Sequence, residues 1–338
     1  MSKRVEESAD ALGLRSGMAG SEQAISGMGK ILTMDIGGTK IGSAITQLPD
    51  LHIGTYSEMP TNAEEGGEAV VQRVLQMVRQ QLQSHPDVVG VAIASAGVID
   101  PNTGAVLSAT NTMPGWSGTP LGDLVAQAAA VPVAVINDVH AHGLGEAVCG
   151  AGRGYRSVLA IAVGTGIGGA LVVGGDVVLG EHFLAGHVGH IHHHEARHMR
   201  CSCGRYGHIE GICSGHGITN WFNAEFCADG EVVANGKELY DRANAGDPAV
   251  KRCFTRSAFA LGEAVGSLVN SVDPAIVVLS GSMTKSGDTW WRALRDGYGG
   301  CVMDPVAKVA LVHGACGSRA PLLGAAIAFS RRYMRRKI

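Results

Sequence analysis

A strand–glycine turn–strand pattern occurs twice in the sequence and restricts the chain to a small group of folds. The apolar run Ile31–Ile36 predicts a buried strand that ends at Gly37-Gly38, and a second apolar run, Ile41–Ile45, follows at once. The same order returns over residues 157–173, again with a glycine-rich turn between two apolar runs. Because 338 residues suffice for two ordinary domains, the doubled pattern predicts two similar α/β halves that face a cleft.

Composition and charge exclude several classes of protein. The formal net charge of −3 and the pI near 6.5 give no basic excess for nucleic acid or an anionic membrane. Residues 1–29 are charged and lack an apolar core, so they predict a disordered leader rather than a signal peptide. No uncharged apolar run reaches the roughly 20 residues of a membrane span, and the 8 cysteines do not form a dense disulfide framework. The sequence therefore predicts a cytoplasmic protein without nucleic-acid or membrane partners.

The first glycine turn carries groups that suit a phosphate. In Asp35-Ile36-Gly37-Gly38-Thr39-Lys40 the glycines let backbone N–H groups approach phosphate oxygens, while Thr39 and Lys40 add donors. Asp35 could hold Mg²⁺ through water. The alternative is an ordinary type I′ hairpin in which Asp35 is a turn acceptor. The second turn, Gly164–Gly169, is equally ambiguous, and neither turn has the Walker or dinucleotide-binding spacing.

Together, these segments resemble the ROK family (repressors, open reading frames and kinases) of the actin-like ATPase superfold. The resemblance covers about residues 30–330 and rests on five segments: Asp35–Lys40, Asn137-Asp138, Gly164–Gly169, Leu279-Ser280-Gly281-Ser282 and the series His190…Cys201-x-Cys203-Gly204-x-x-Gly207. It implies a two-domain α/β, ribonuclease H-like, hexokinase-type fold with a cleft between the domains. It also implies an ATP-dependent sugar kinase that uses Mg²⁺.

The resemblance further implies how the chain is divided. A smaller α/β domain would comprise residues 30–138 together with 318–338, and a larger α/β domain, residues 139–317, would hold a zinc loop. Family members are commonly dimers, which implies a homodimer by analogy.

Two sets of ligand contacts follow from the resemblance. ATP and its phosphates would be bound by Asp35, Gly37, Gly38, Thr39, Lys40, Thr165, Gly166, Gly281 and Ser282. The sugar would be bound by Gly97, Asn111, Asn137, Asp138, His187, His190 and Glu210. For Asn111 the alternative is an ordinary turn residue.

Asp138 is the expected catalytic base. It follows an apolar strand, where a loop would face the cleft, and a carboxylate there can accept the proton of a sugar hydroxyl that attacks the γ-phosphate. The alternative is a helix N-cap, since aspartate is favoured there and a helix could start at Val139. The two roles are compatible.

A structural zinc is also implied. The family binds it through one histidine and three cysteines, which correspond here to His190, Cys201, Cys203 and residue 208, a histidine. Imidazole is a competent zinc ligand, so a His₂Cys₂ tetrahedron with His208 is chemically reasonable. The alternatives are a degenerate site, or a substitute ligand among the other nearby histidines: His192, His193, His194 and His198.

His187 is the main departure from the family pattern. Glucokinases and many hexosamine kinases of the family carry glutamate in this segment, whereas this chain has Ala185-Gly186-His187-Val188-Gly189-His190, as the family's bacterial N-acetylmannosamine kinases do. An ionised glutamate only accepts hydrogen bonds, while a neutral histidine offers one donor and one acceptor. The resemblance thus implies phosphorylation of N-acetylmannosamine at its 6-hydroxyl, a step of sialic acid catabolism. Glucose and N-acetylglucosamine are the alternative substrates, and variation at the rim of the site is the alternative for His187.

A sugar-responsive transcriptional repressor is the rival from another class. Such relatives carry a winged helix-turn-helix domain before the first phosphate motif. Only 34 residues precede Asp35, and they show no helix-turn-helix pattern or basic face. The sequence therefore favours the kinase.

Overall fold

The computed structural model describes residues 29–227 and 232–334. The predicted disordered leader lies outside the described residues except for Gly29, which begins the first strand.

The first half is built on a five-stranded mixed sheet in the order β3-β2-β1-β4-β7. Its strands are β1 (Gly29–Ile36), β2 (Lys40–Leu48), β3 (His52–Pro60), β4 (Val88–Ser95) and β7 (Val133–Asn137). Strands β1, β2 and β3 are antiparallel in succession, and β4 and β7 run parallel to β1. The short strands β5 (Val98–Ile99) and β6 (Val106–Ser108) pair separately.

The second half repeats this arrangement in the order β10-β9-β8-β11-β12. Its strands are β8 (Ser157–Val163), β9 (Ile167–Val173), β10 (Asp176–Val177), β11 (Ile276–Ser280) and β12 (Ala310–His313). Strands β8, β9 and β10 are antiparallel in succession, and β11 and β12 run parallel to β8. The strand senses therefore match those of the first sheet, which confirms the doubled α/β architecture predicted from the glycine turns.

Nine α-helices cover the two sheets within the described residues: α1 (Gly67–Ser84), α2 (Leu121–Ala129), α3 (Asp138–Val148), α4 (Glu210–Cys213), α5 (Gly215–Glu225), α6 (Gly236–Asn244), α7 (Pro248–Val272), α8 (Asp288–Cys301) and α9 (Ala320–Tyr333). Alternate residues of β4 separate the two faces of the first sheet. Val91 and Ile93 join the core formed with α1 and α2, while Ala92 and Ala94 face α9. The small alanines let α9 lie close to the sheet.

Helices α3 and α9 join the two halves. A Cβ at Gly145 would collide with the Ala320 carbonyl, and one at Gly324 would collide with the Ala141 carbonyl, so the two helix backbones touch. Helix α3 also packs on the second sheet, where a Cβ at Gly143 would lie 2.5 Å from that of Ala170. The helix that begins at Asp138 is therefore fixed against both halves.

A buried carboxylate anchors the far end of α3. Glu146 is 0 % exposed. Its Oε1 accepts from the Cys316 amide (2.8 Å), and its Oε2 accepts from the amides of Ala151 (3.1 Å) and Ala315 (2.9 Å). This carboxylate joins the helix to the segment that leads into α9.

Substituting Glu146→Ala is expected to destabilise the protein by about 3 kcal/mol or more, because each buried amide left unpaired costs about 1–3 kcal/mol. The midpoint of thermal unfolding measures the effect. Glu146→Gln is the matched control: it keeps an acceptor oxygen and should fall between the wild type and Glu146→Ala. Equal midpoints for wild type and Glu146→Ala would contradict this account of the carboxylate.

Strand β3 and helix α8 are among the elements that were not predicted from the sequence. Strand β3 lies at a sheet edge with most of its side chains exposed, so it lacks an alternating apolar pattern. Helix α8 contains three glycines, which lower helix propensity, although Trp290, Trp291 and Leu294 form a buried face. Across the described ranges, no helix has both the length and the apolar character needed to cross a membrane.

Candidate active site

Three parallel strands of the first sheet end at the same level. Ile36 of β1 pairs with Ser95 of β4, and Ser95 pairs with Asn137 of β7. The carboxyl ends of these strands therefore bring Asp35 and Asp138 to one edge of the sheet. A Cβ at Gly168 of β9 would lie 2.6 Å from the Val139 side chain. This edge thus borders the second sheet.

Asn137 organises the end of β7. It is 3 % exposed and is the N-cap of α3, since its Oδ1 accepts from the amides of Val139 (3.1 Å) and His140 (3.0 Å). Its Nδ2 donates to the Gly97 carbonyl (2.8 Å) and to Asp138 Oδ1 (2.9 Å). The alternative in which Asp138 caps the helix is therefore wrong. Asp138 Oδ1 also accepts from the Val139 amide (2.9 Å), and no described residue donates to Oδ2.

Burial and charge perturb both carboxyl groups of this edge. Burial raises the pKa of Asp138 to about 6, against the lowering effect of its hydrogen bonds from Val139 and Asn137. Burial, and then the charge of Asp138, raises the pKa of Asp35 to about 7, while Lys40 acts in the opposite direction. Two carboxyls that repel each other in this way are suited to a cation between them or to proton transfer.

The first glycine turn is not the type I′ hairpin considered as an alternative. That turn needs positive φ at both central residues, and neither Gly37 nor Gly38 has it. An added Cβ would meet only ordinary contacts, with the Lys40 carbonyl at 3.6 Å and the Thr112 carbonyl at 3.5 Å. The fold itself therefore does not require glycine at either position.

Three of the predicted ligand contacts, Thr39, Lys40 and Asn111, lie in or beside this turn. Lys40 Nζ lies 2.8 Å from Glu58, on the adjacent strand, and Thr39 is exposed. Asn111 is exposed in the loop that precedes Thr112 and so lies beside the turn.

The second glycine turn is open on one side and anchored on the other. Gly164 has no described atom within 4 Å of an added Cβ, and Thr165 is exposed. The Gly164 carbonyl accepts from the Gly215 amide (2.7 Å) at the start of α5. Gly281 has φ +96°, and a Cβ there would collide with the Val163 carbonyl. The segment that begins at Gly281 and continues into exposed Ser282 therefore lies against the strand that leads into the second turn.

The four predicted metal ligands converge. The ligand atoms of His190, Cys201, Cys203 and His208 all lie within 4.8 Å of one another. Cys201 Sγ is 3.3 Å from His190 Nδ1, and Cys203 Sγ is 3.3 Å from His208 Nδ1. The substitute histidines are not in this cluster; one of them, His193, instead places Nε2 3.4 Å from Glu263.

Glu210 connects this cluster to the second glycine turn. It is 7 % exposed, its Oε2 accepts from the Ile167 amide (2.9 Å), and its Oε1 accepts from Ser202 (2.5 Å) and the Cys201 thiol (3.1 Å). Burial alone would raise the pKa of Glu210, but these hydrogen bonds and the charge of His190 hold it below its usual value. Sequence reasoning identified Glu210 but missed the Ile167 and Ser202 partners, which no local pattern indicates.

His187 lies between two other histidines. Its Nδ1 is 3.0 Å from the Leu184 carbonyl. Its ring centroid lies 6.3 Å from that of His190, with the rings near parallel, and 6.0 Å from that of His140, with the rings near perpendicular. Because a carbonyl only accepts, Nδ1 carries the proton and Nε2 is left as an acceptor. Burial, followed by the two neighbouring histidines, lowers the pKa of His187 and favours this neutral form. His140 was not among the predicted site residues.

Comparison with known proteins identifies the class to which this fold and site belong. The sequence model of the ROK family matches residues 31–332, and the chain therefore belongs to the ROK family. A Streptomyces griseus ROK glucokinase, solved in complex with glucose and AMPPNP, superposes with a TM-score of 0.74 at 29% identity over 88% of this chain and 98% of that one. The predicted hexokinase-type, actin-like ATPase fold is thereby confirmed.

Two relatives of similar length define the class more closely. The chain is 29% identical to a glucokinase of Halalkalibacterium halodurans over 81% of this chain and 86% of the relative. It is 34% identical to an N-acetylmannosamine kinase of Escherichia coli over 75% of this chain and 82% of the relative. The chain is thus a ROK sugar kinase.

Proposed function

We propose that this ROK sugar kinase transfers the γ-phosphoryl group of ATP, with Mg²⁺, to the 6-hydroxyl of N-acetylmannosamine. The observation that carries the choice of sugar is His187, which presents a neutral acceptor nitrogen where other family kinases have a glutamate. The 34% identity to an N-acetylmannosamine kinase supports the same choice.

Asp138 is the proposed base. Its Oδ1 is held by Asn137 Nδ2 and the Val139 amide, which fixes the carboxylate and leaves Oδ2 for the proton of the attacking hydroxyl. A pKa raised to about 6 keeps the group ionised at neutral pH and makes it a better proton acceptor than an ordinary aspartate. We also propose that Gly97 and Asn111 contact the sugar near Asp138. The Gly97 carbonyl is held in place by Asn137.

The nucleotide is proposed to lie across the two glycine turns. Asp35 would hold Mg²⁺ through water, which also relieves its repulsion by Asp138. The phosphate and adenosine contacts carried over from the family are Gly37, Gly38, Thr39, Lys40, Thr165, Gly166, Gly281 and Ser282. Exposed backbone at both turns supports this placement.

We further propose a structural zinc at His190, Cys201, Cys203 and His208. Tetrahedral zinc with these ligands separates them by about 3.3–3.8 Å, and two sulfur–nitrogen pairs are already 3.3 Å apart. A closed set of four ligands leaves no open position, so the metal would order the loop rather than act on the substrate. With Nδ1 toward the metal, His190 would keep Nε2 for the sugar. Glu210 would be oriented by the same loop through Ser202, because a zinc-bound Cys201 thiolate has no proton to donate.

We also propose the domain division at Asp138, with residues 318–338 returning to the smaller domain. The packing of α9 on the first sheet supports it. The homodimer stays a prediction, which sedimentation analysis would test.

The choice of sugar is tested with a coupled ADP-release assay on N-acetylmannosamine, N-acetylglucosamine, glucose and mannose. The wild type is expected to show its highest kcat/KM with N-acetylmannosamine. His187→Glu should shift preference toward glucose or N-acetylglucosamine by about tenfold or more, since the acceptor nitrogen is replaced by a charged carboxylate and matched polar contacts discriminate strongly. His182→Glu, on an exposed residue of the same segment, is the matched control for added charge.

A higher kcat/KM for glucose than for N-acetylmannosamine in the wild type would reject this substrate and favour glucokinase, the second candidate, which the 29% identity to a glucokinase supports. The assignment to the sugar kinases would survive that result.

A further inference from the structure

A buried histidine connects the helix that begins at Asp138 to the segment that carries His187. His140 is 1 % exposed and lies on α3, and its Nε2 is 2.6 Å from the Ala185 carbonyl oxygen. Because the carbonyl can only accept, Nε2 carries the proton and donates. Burial lowers the pKa of His140, so the ring stays neutral and keeps this tautomer.

The hydrogen bond is accepted by the segment of residues 178–189, which has few other contacts that hold it in place. The Ala185 amide donates to the Leu179 carbonyl (3.0 Å), and Gly186 adopts φ +88° against β9, where a Cβ would lie 2.5 Å from the Gly169 carbonyl. In the described part of the chain, no side chain from outside residues 178–189 other than His140 donates to the backbone of that segment. His187 follows Ala185 by two residues, so its position depends on this contact.

Asp138 and His187 are proposed to address opposite sides of the sugar, and His140 connects the elements that carry them. Asp138 and His140 lie on the same helix, and the centroids of the His140 and His187 rings are 6.0 Å apart, with an interplanar angle of 82°. The hydrogen bond from His140 to Ala185 therefore sets the distance between two groups proposed to contact the sugar. One is the Asp138 carboxylate, at the attacking hydroxyl, and the other is His187 Nε2, at the far side of the sugar ring. A displacement of about 1 Å in such a pair can cost 10²-fold in rate.

We propose that His140 is a positioning residue that determines sugar selectivity, by fixing the segment of His187 relative to Asp138. This inference rests on the proposed function, because it assumes that Asp138 and His187 address the same sugar. Asp138 itself does not depend on the His140 side chain: Asn137 is bonded to the backbone amide of His140, which every substitution retains.

The test is the ratio of kcat/KM for N-acetylmannosamine to that for N-acetylglucosamine, two sugars that differ only in configuration at C2. His140→Leu is expected to lower the ratio about tenfold, mainly through KM, with kcat for the preferred sugar changed less than about threefold. His140→Gln, whose Nε2 can still donate to Ala185, should restore the ratio to within about threefold. Tyr333→Phe removes a similar bond to a backbone carbonyl, from Tyr333 to Val133 (2.9 Å), and should leave the ratio unchanged.

If His140 has a merely structural role, His140→Leu will lower kcat/KM by the same factor for both sugars, and that result would overturn the proposal. If His140→Leu does not fold, His140→Phe keeps the ring without the donor and is judged by the same ratio. If neither folds, histidine side-chain NMR of the wild type decides: sugar binding must shift the signals of both His140 and His187, and an unmoved His140 would reject the role. A wild type that prefers glucose would reject the proposed substrate, yet a changed ratio in His140→Leu would still support the positioning role.

Discussion

Asp138→Asn is expected to lower turnover by a factor of about 10²–10⁴, the usual cost of losing a general base. Asparagine keeps an Oδ1 that can accept from Asn137 and the Val139 amide, so the end of the strand and the start of α3 should be unchanged. Steady-state kinetics at saturating sugar and ATP measure the effect. Asp123→Asn, on α2 and outside the site, is the matched control. Turnover near the wild-type value in purified Asp138→Asn would rule out the base.

The pH dependence of the wild type follows from the same residue. The base acts in its ionised form, so kcat/KM should fall as the pH drops through about 6, the raised pKa of Asp138.

The stability of the fold should depend on pH in the opposite sense. A carboxyl whose pKa is raised by folding contributes stability below its ordinary pKa of 3.8 and loses it as the pH rises through about 6. Asp138→Asn should therefore unfold at a higher temperature than the wild type at pH 8, and this difference should disappear near pH 4.

Removal of the proposed zinc is expected to lower both the stability and the activity of the protein strongly. His208→Ala should reduce the metal content from about one zinc per chain to near zero and lower the unfolding temperature, because the binding energy of a structural zinc, about 10–16 kcal/mol in small domains, is folding energy. Activity should fall with it, since the loop that orients His190 and, through Ser202, Glu210 loses its support.

Two further variants make the metal test specific. His208→Cys supplies the third cysteine of the family pattern and should retain zinc, whereas Cys301→Ala, at a cysteine outside the cluster, should change neither metal content nor activity. Elemental analysis of protein purified without chelator gives the stoichiometry. A wild type without zinc would contradict the proposed site, while leaving the base and the sugar to be judged on their own tests.

The sequence by itself determined the features that depend on short stretches of chain. Apolar runs beside Gly37 and Gly164 specified the two strand–turn–strand units, because alternation and turn chemistry act over a few residues. The resemblance to the family's zinc signature predicted four ligands, His190, Cys201, Cys203 and His208, whose ligand atoms do converge.

The tertiary structure decided what depends on residues far apart in the chain. The sequence offered Asp138 as the cap of α3, but Asn137 is the cap, and its Nδ2 donates to the Gly97 carbonyl, 40 residues away. His140 meets Ala185 across 45 residues, and Glu146 meets Cys316 across 170. Such contacts form only when the packing of the two halves offsets the entropic cost of closing long loops. No local pattern in the sequence indicates which distant residue will be the partner.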